Sequence, residues 1–169
     1  YDKFRYIYEH IIKKDLSESE FHRLCDEFSK LVYNRVIDCD YVEGATEFFI
    51  KYYNKINFFI ISGTPHNEIE AITKEKGIYK YFKGVYGSPT TKIIWIKNIL
   101  VEQKLDPENI VFVGDALSDY DAAKEYDIFF IGRIKDSQDN IFKDKEIDLM
   151  INNFNDLDNY INQYVVWFK

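Results

Sequence analysis

Three short runs carry side chains able to act on a charged substrate. VFVGDALSDYDAA, residues 111 to 123, starts apolar, breaks at Gly114 and sets Asp115 and Asp119 four residues apart. FFIISGTP, residues 58 to 65, delivers Ser62, Gly63 and Thr64 in the same way, and Lys92 lies between the two runs. A hydroxyl, an ammonium and two carboxylates suit a phosphate and Mg2+, a hard cation that takes oxygen ligands. Open α/β sheets present their chemistry at the carboxyl ends of strands, where both runs break. Each residue also has a plainer reading. Asp115 could cap a helix, and Asp119 or Asp121 could be first-turn acids favoured by the helix dipole. Ser62 could satisfy its own turn, or it could join the amides of Gly63 and Thr64, freed at the strand end, to grip a phosphoryl oxygen. Taken alone, Lys92 reads as a solvated surface lysine.

The elements that must position these residues follow from periodicity. Phe4, Ile7, Tyr8, Ile11 and Ile12 recur at helical spacing over residues 2 to 14. Ser17 and Glu20 form a capping-box pattern before a second helix with Phe21, Leu24, Cys25, Phe28, Leu31, Val32 and Val36 on one side. After this αα-hairpin the character changes. Helices are expected at 42 to 53, 67 to 76 (stopped by Gly77), 91 to 103, 118 to 126 and 154 to 161. Strands are expected at 56 to 61, 85 to 86, 110 to 113, 128 to 131 and 147 to 151. Helices alternating with strands predict an α/β fold with a doubly wound parallel sheet. DCDYVEG is the expected hinge between hairpin and sheet.

Composition limits the function. The chain has 169 residues, 46% hydrophobic and 18% aromatic, which suits a folded domain rather than a disordered one. A formal charge of −7 leaves no basic stripe for a nucleic acid, while a small anion held by one lysine and a metal stays compatible. The longest apolar runs, INFFIIS and YVVWF, fall far short of a membrane span, and no signal peptide is visible. Cys25 and Cys39 have no metal-ligand spacing and read as reduced thiols of a cytoplasmic protein.

A strand ending in Ser or Thr, a lysine about thirty residues on and GDxxxD about twenty further resembles the haloacid dehalogenase superfamily of phosphohydrolases. The resemblance runs from about Tyr41 to Ile151 and includes YVEGATEFF and KGVYGSP. It implies that Ser62 binds phosphate with Gly63 and Thr64, that Lys92 is the lysine of the third motif, and that Asp115 and Asp119 are the Mg2+-binding acid and its partner. Residues 1–39 look like part of the family's helical cap, and residues 40–169 like the α/β core.

The chain departs from the family pattern at the first motif, a strand ending in Asp-x-Asp whose first aspartate attacks phosphorus. Asp38 and Asp40 in VIDCDYV spell this pattern, yet the apolar residues before them have helical spacing and Val42 opens the next helix. They read as a polar junction. In the family the missing strand lies between the strands leading to Ser62 and Asp115, and its removal would leave backbone groups unpaired. The expectation is therefore that the native polypeptide carries a segment before Tyr1 with the catalytic aspartates on it.

The function these features imply is Mg2+-dependent hydrolysis of a small phosphorylated metabolite through an aspartyl-phosphate. The alternatives are an inactive module binding a phosphorylated ligand or a protein, a sugar phosphomutase and a dehalogenase. Phe4, Tyr6, Tyr8 and His10 could line a substrate site or pack within the hairpin, and His66 could face substrate or cap the helix after it.

Overall fold

The computed structural model describes residues 2–135 and 140–164. The chain divides into two compact units, Tyr1–Asp40 and Tyr41–Lys169.

The first unit is the expected hairpin. α1 (Asp2–Tyr6) widens into a π-helical stretch, Ile7–Ile12, which Lys13 ends in the left-handed conformation (φ 56°). α2 (Glu18–Asp38) begins where Ser17 Oγ accepts the Glu20 amide at 3.3 Å. Phe4 meets the edge of Phe28 at 5.7 Å, Arg5 pairs with Glu18 at 3.0 Å, and Tyr8 donates to Glu20 at 3.2 Å. Cys25 is buried and Cys39 exposed, and neither forms a disulfide among the described residues. Because α2 is helical through Asp38, that carboxylate does not stand at a strand end.

In the second unit five parallel strands alternate with helices. The order is α3 (Ala45–Tyr52), β1 (Phe58–Pro65), α4 (His66–Glu75), β2 (Phe82–Ser88), α5 (Lys92–Gln103), β3 (Val111–Gly114), α6 (Leu117–Lys124), β4 (Phe129–Arg133), β5 (Leu149–Ile151) and α7 (Phe154–Tyr164). Strands β3 to β5 lie within two residues of their expected bounds, and β1 and β2 run well past theirs. β1 runs on through Ser62, Gly63 and Thr64, because its pairing with β2 resumes at Pro65 and Ser88 after a register shift beyond Ile61. β2 has seven residues where two were expected. Its glycines weaken the local signal, and pairing with β1 holds it extended.

Alternation along the strands makes two cores, one on each face of the sheet. Ile131 and Ile151 join Phe48, Tyr52, Leu157 and Ile161 of α3 and α7, with Phe58 of β1 packed against them. Phe130 joins Ile96 of α5 and Ala122 and Ala123 of α6, with Ile61 of β1 and Phe112 of β3 packed against them. Each core therefore draws on both ends of the strand array. The ladders do not. β1 pairs with β2, while β3, β4 and β5 form a separate sheet, and no described strand pairs with the other edge of β1 or β3. Val111 and Val113 of β3 remain 55% and 36% exposed, unusual for a strand inside a doubly wound sheet.

Candidate functional site

Asp119 is the buried and hydrogen-bonded acid of the site. It is the third residue of α6, and its Oδ2 accepts the Ala116 amide at 3.0 Å, which satisfies a donor the helix leaves open. Its Oδ1 accepts from Lys92 Nζ in a short contact. The Asp119 side chain is 8% exposed and that of Lys92 20%, so the pair lies mostly away from water. Gly114 makes room for it. A Cβ there would stand 2.6 Å from Asp119 Cγ and 2.8 Å from Oδ2, so any larger residue would push the carboxylate off the end of β3.

Lys92 is the first residue of α5, just after Thr91, whose Oγ1 accepts the Ile94 amide at 3.4 Å. Its ammonium is thus added to the positive end of a twelve-residue helix. The contact of Lys92 with Asp119 joins the start of α5 to the start of α6. Because α5 follows β2, α6 follows β3 and β1 is parallel to β2, the carboxyl ends of β1, β2 and β3 lie at one edge.

Ser62 lies half-buried in the bulged end of β1. Bulges often re-aim a side chain beside a functional site. The expectation of two free amides is corrected here, because the Thr64 N–H donates to Ser62 Oγ at 3.1 Å. This local turn takes the Thr64 amide out of play, while the Ser62 oxygen, accepting there, keeps its own O–H to donate. Gly63 is exposed, with open space around its α-carbon. Asp115 is exposed at the end of β3, with no hydrogen-bond or ionic partner among the described residues. The structure therefore brings Lys92 and Asp119 into contact, while Ser62 bonds within its own loop and Asp115 is open to solvent.

The residues fit Mg2+ in part. Asp115 offers a free carboxylate, whereas both oxygens of Asp119 are engaged by Lys92 and Ala116. No group of three or more His, Cys, Asp or Glu among the described residues could hold a metal ion. A cation there would need further oxygens from a substrate or another segment.

The sequence reading gave no role to Trp95, which lies three residues beyond Lys92 on α5. It stacks on Tyr86 at 4.5 Å and on His66 at 6.3 Å, and its Nε1 donates to the Gly87 carbonyl at 2.9 Å. Burial, then the charge of Glu102, raises the Tyr86 phenol above its usual range. Gly87 lets β2 approach the Ser62 loop, since a Cβ would stand 2.6 Å from His66 Cα and 2.7 Å from its N. A tryptophan three residues after a lysine on a predicted helix was the available signal, though apolar spacing alone assigns it to the core. His66 is not a cap, because it is the first residue of α4 and the capping position, Pro65, makes no side-chain hydrogen bond.

Parallel strands with helices on both faces, and a hydroxyl, a lysine and two acids near their carboxyl edge, define a doubly wound α/β protein. The chain belongs to the haloacid dehalogenase-like hydrolases, whose family model matches residues 4–133. Among solved structures, it is similar to a predicted phosphoglycolate phosphatase from Haemophilus somnus (TM-score 0.76, 21% identity, covering 90% of this chain and 71% of that one). It is also similar to β-phosphoglucomutase from Clostridium difficile (TM-score 0.68, 19% identity, 98% and 78% covered). A haloacid dehalogenase-like hydrolase from Streptococcus pneumoniae aligns with a TM-score of 0.71 at 16% identity, covering 86% of this chain and 72% of that one. At these identities the likeness is one of fold. No curated protein matches the chain. No helix among the described residues is long and apolar enough to cross a membrane.

Proposed function

We propose that this chain forms the phosphoryl-binding part of a Mg2+-dependent phosphohydrolase for small phosphorylated metabolites. We further propose that its nucleophilic aspartate arrives on an extended segment seated between β1 and β3. The observation that carries this reading is that, among the described strands, β1 and β3 each lack a partner along one edge. Helices on both faces span β1 and β3, yet each strand has a free edge beside it. Two strand edges left without backbone partners would be costly in a marginally stable domain, and one parallel strand would satisfy both. Ser62 and Asp115 stand at the carboxyl ends of the two strands that flank the gap.

In this reading the aspartate attacks phosphorus, the ester P–O bond breaks, and water then hydrolyses the acyl-phosphate. The Ser62 hydroxyl donates to a phosphoryl oxygen, and Lys92 neutralises charge that spreads over those oxygens in the transition state. Asp119 holds Lys92 in place instead of meeting substrate itself. Mg2+ bound through Asp115 would screen the nucleophile from the phosphate dianion. The size of the Lys92 effect follows from its partial burial: a cation in a poorly solvated site facing a dianion contributes roughly two to four orders of magnitude in rate.

The test is hydrolysis of p-nitrophenyl phosphate, with and without Mg2+, by the complete native polypeptide and its K92A and S62A variants. Mg2+-dependent turnover that K92A reduces at least a hundredfold is the expected result. Turnover indifferent to K92A, or a complete polypeptide with no strand ending in Asp-x-Asp, overturns the reading.

A further inference from the structure

His66 follows the Ser62 loop and takes no part in the chemistry above. Among the described residues, its Nδ1 is the one buried side-chain nitrogen or oxygen with no hydrogen-bond partner. Leaving such an atom unsatisfied is unfavourable, and the few that persist in native proteins ask for a specific explanation.

The imidazole is fixed where it stands. Its ring is stacked on Trp95 with 25° between planes, and Trp95 is itself tied down by its hydrogen bond to the Gly87 carbonyl and its stack on Tyr86. The His66 backbone rests against Gly87 of β2. Trp95 lies three residues beyond Lys92 on α5, and His66 four residues beyond Ser62, so the two elements that present the phosphoryl-binding groups also clamp this ring. A held imidazole with an unused nitrogen, four residues beyond the Ser62 hydroxyl, is suited to a ligand bond. Phosphoryl oxygens only accept hydrogen bonds, which selects the form of His66 that carries its proton on Nδ1.

We propose that His66 is a third anion-contacting residue, its Nδ1–H donating to an oxygen of the bound phosphomonoester. The proposal rests on the phosphoryl-site reading above and adds a residue to it. The Trp95 stack is the device that holds the donor in place, which lowers the ordering cost of binding.

The experiment is titration of the complete native polypeptide with inorganic phosphate, followed by NMR of 15N-labelled histidine and by calorimetry. The Nδ1 resonance of His66, identified by its loss in H66F, should move saturably with the same Kd that calorimetry gives. H66F keeps a ring against Trp95 but has no nitrogen, and should weaken binding about tenfold. H66N, which sets an amide donor near the Nδ1 position, should restore most of that loss. An Nδ1 resonance that stays still while phosphate binds in a Lys92-dependent manner overturns the assignment, and so does H66F binding as tightly as the unaltered chain. A still resonance of this kind marks an atom filled by buried water. If the chain shows no phosphate binding sensitive to K92A, the phosphoryl-site reading falls and takes the His66 assignment with it.

Discussion

Asp119→Ala isolates the contact on which the site is built. It removes the partner of Lys92, whose side chain is only 20% exposed, and the acceptor for the Ala116 amide. Leaving a mostly buried ammonium unpaired costs about 3 kcal/mol, the low end of the range because Lys92 keeps some access to water. Losing a helix-start acceptor adds about 1 kcal/mol. The sum, about 4 kcal/mol, corresponds to a fall in Tm of about 8–16 °C for a chain of this length. Asp119→Asn keeps an oxygen for Ala116 and loses only the charge, so it should fall between wild type and Asp119→Ala. Thermal and urea unfolding of both variants, of Lys92→Ala and of the double variant form a cycle, with a coupling energy above about 1 kcal/mol expected between the two positions. A Tm within about 2 °C of wild type for Asp119→Ala, or additive single effects, would show that the contact does not hold the site together.

Gly87→Ala should cost roughly 1–3 kcal/mol through overpacking against backbone that cannot turn aside, and should shift the amide resonances of Thr64 and His66; a silent substitution refutes the close approach. Burial works to raise Asp148, but hydrogen bonds from Lys124 and the Phe130 amide outweigh it and hold the carboxyl below 3.8; Asp158 is likewise lowered against burial by Lys51 and the Tyr52 hydroxyl. With folded pKa values depressed, both contribute stability above the unfolded value that is lost as pH falls below 3.8 through the folded values. Asp148→Asn and Asp158→Asn should each flatten that acid-side slope in urea titrations, and an unchanged slope counts against the pairing. Hydrogen exchange should be slowest in Phe130 to Gly132 of β4, which pairs on both sides, and faster in β3 and β1. Uniform protection across the strands would contradict the free edges.

Much of the fold was legible because its signals are local. Ser17 caps α2, Gly77 stops α4, and apolar runs between them fix the alternation of helix and strand. β2 was largely hidden, since the force that keeps Phe82 to Ser88 extended comes from a strand seventeen or more residues away in sequence. The bulge at Ser62 was hidden for the same reason: only resumed pairing at Pro65 shows that the loop belongs to β1. Trp95 was legible as an apolar helical residue and no more, because stacking on Tyr86 and His66 joins side chains from three separate elements.

The sequence by itself determined which groups stand at strand ends and which family they indicate, because residue type and spacing are written in the chain. Tertiary structure alone decided how those groups are used. It assigned both Asp119 oxygens, one to Lys92 and one to Ala116, turned the Thr64 amide back onto Ser62, and left Asp115 and His66 Nδ1 without partners among the described residues. It also left the edges of β1 and β3 unpaired. Hydrogen-bond saturation and burial are properties of atoms brought together from distant parts of the chain, so no reading of local pattern can supply them.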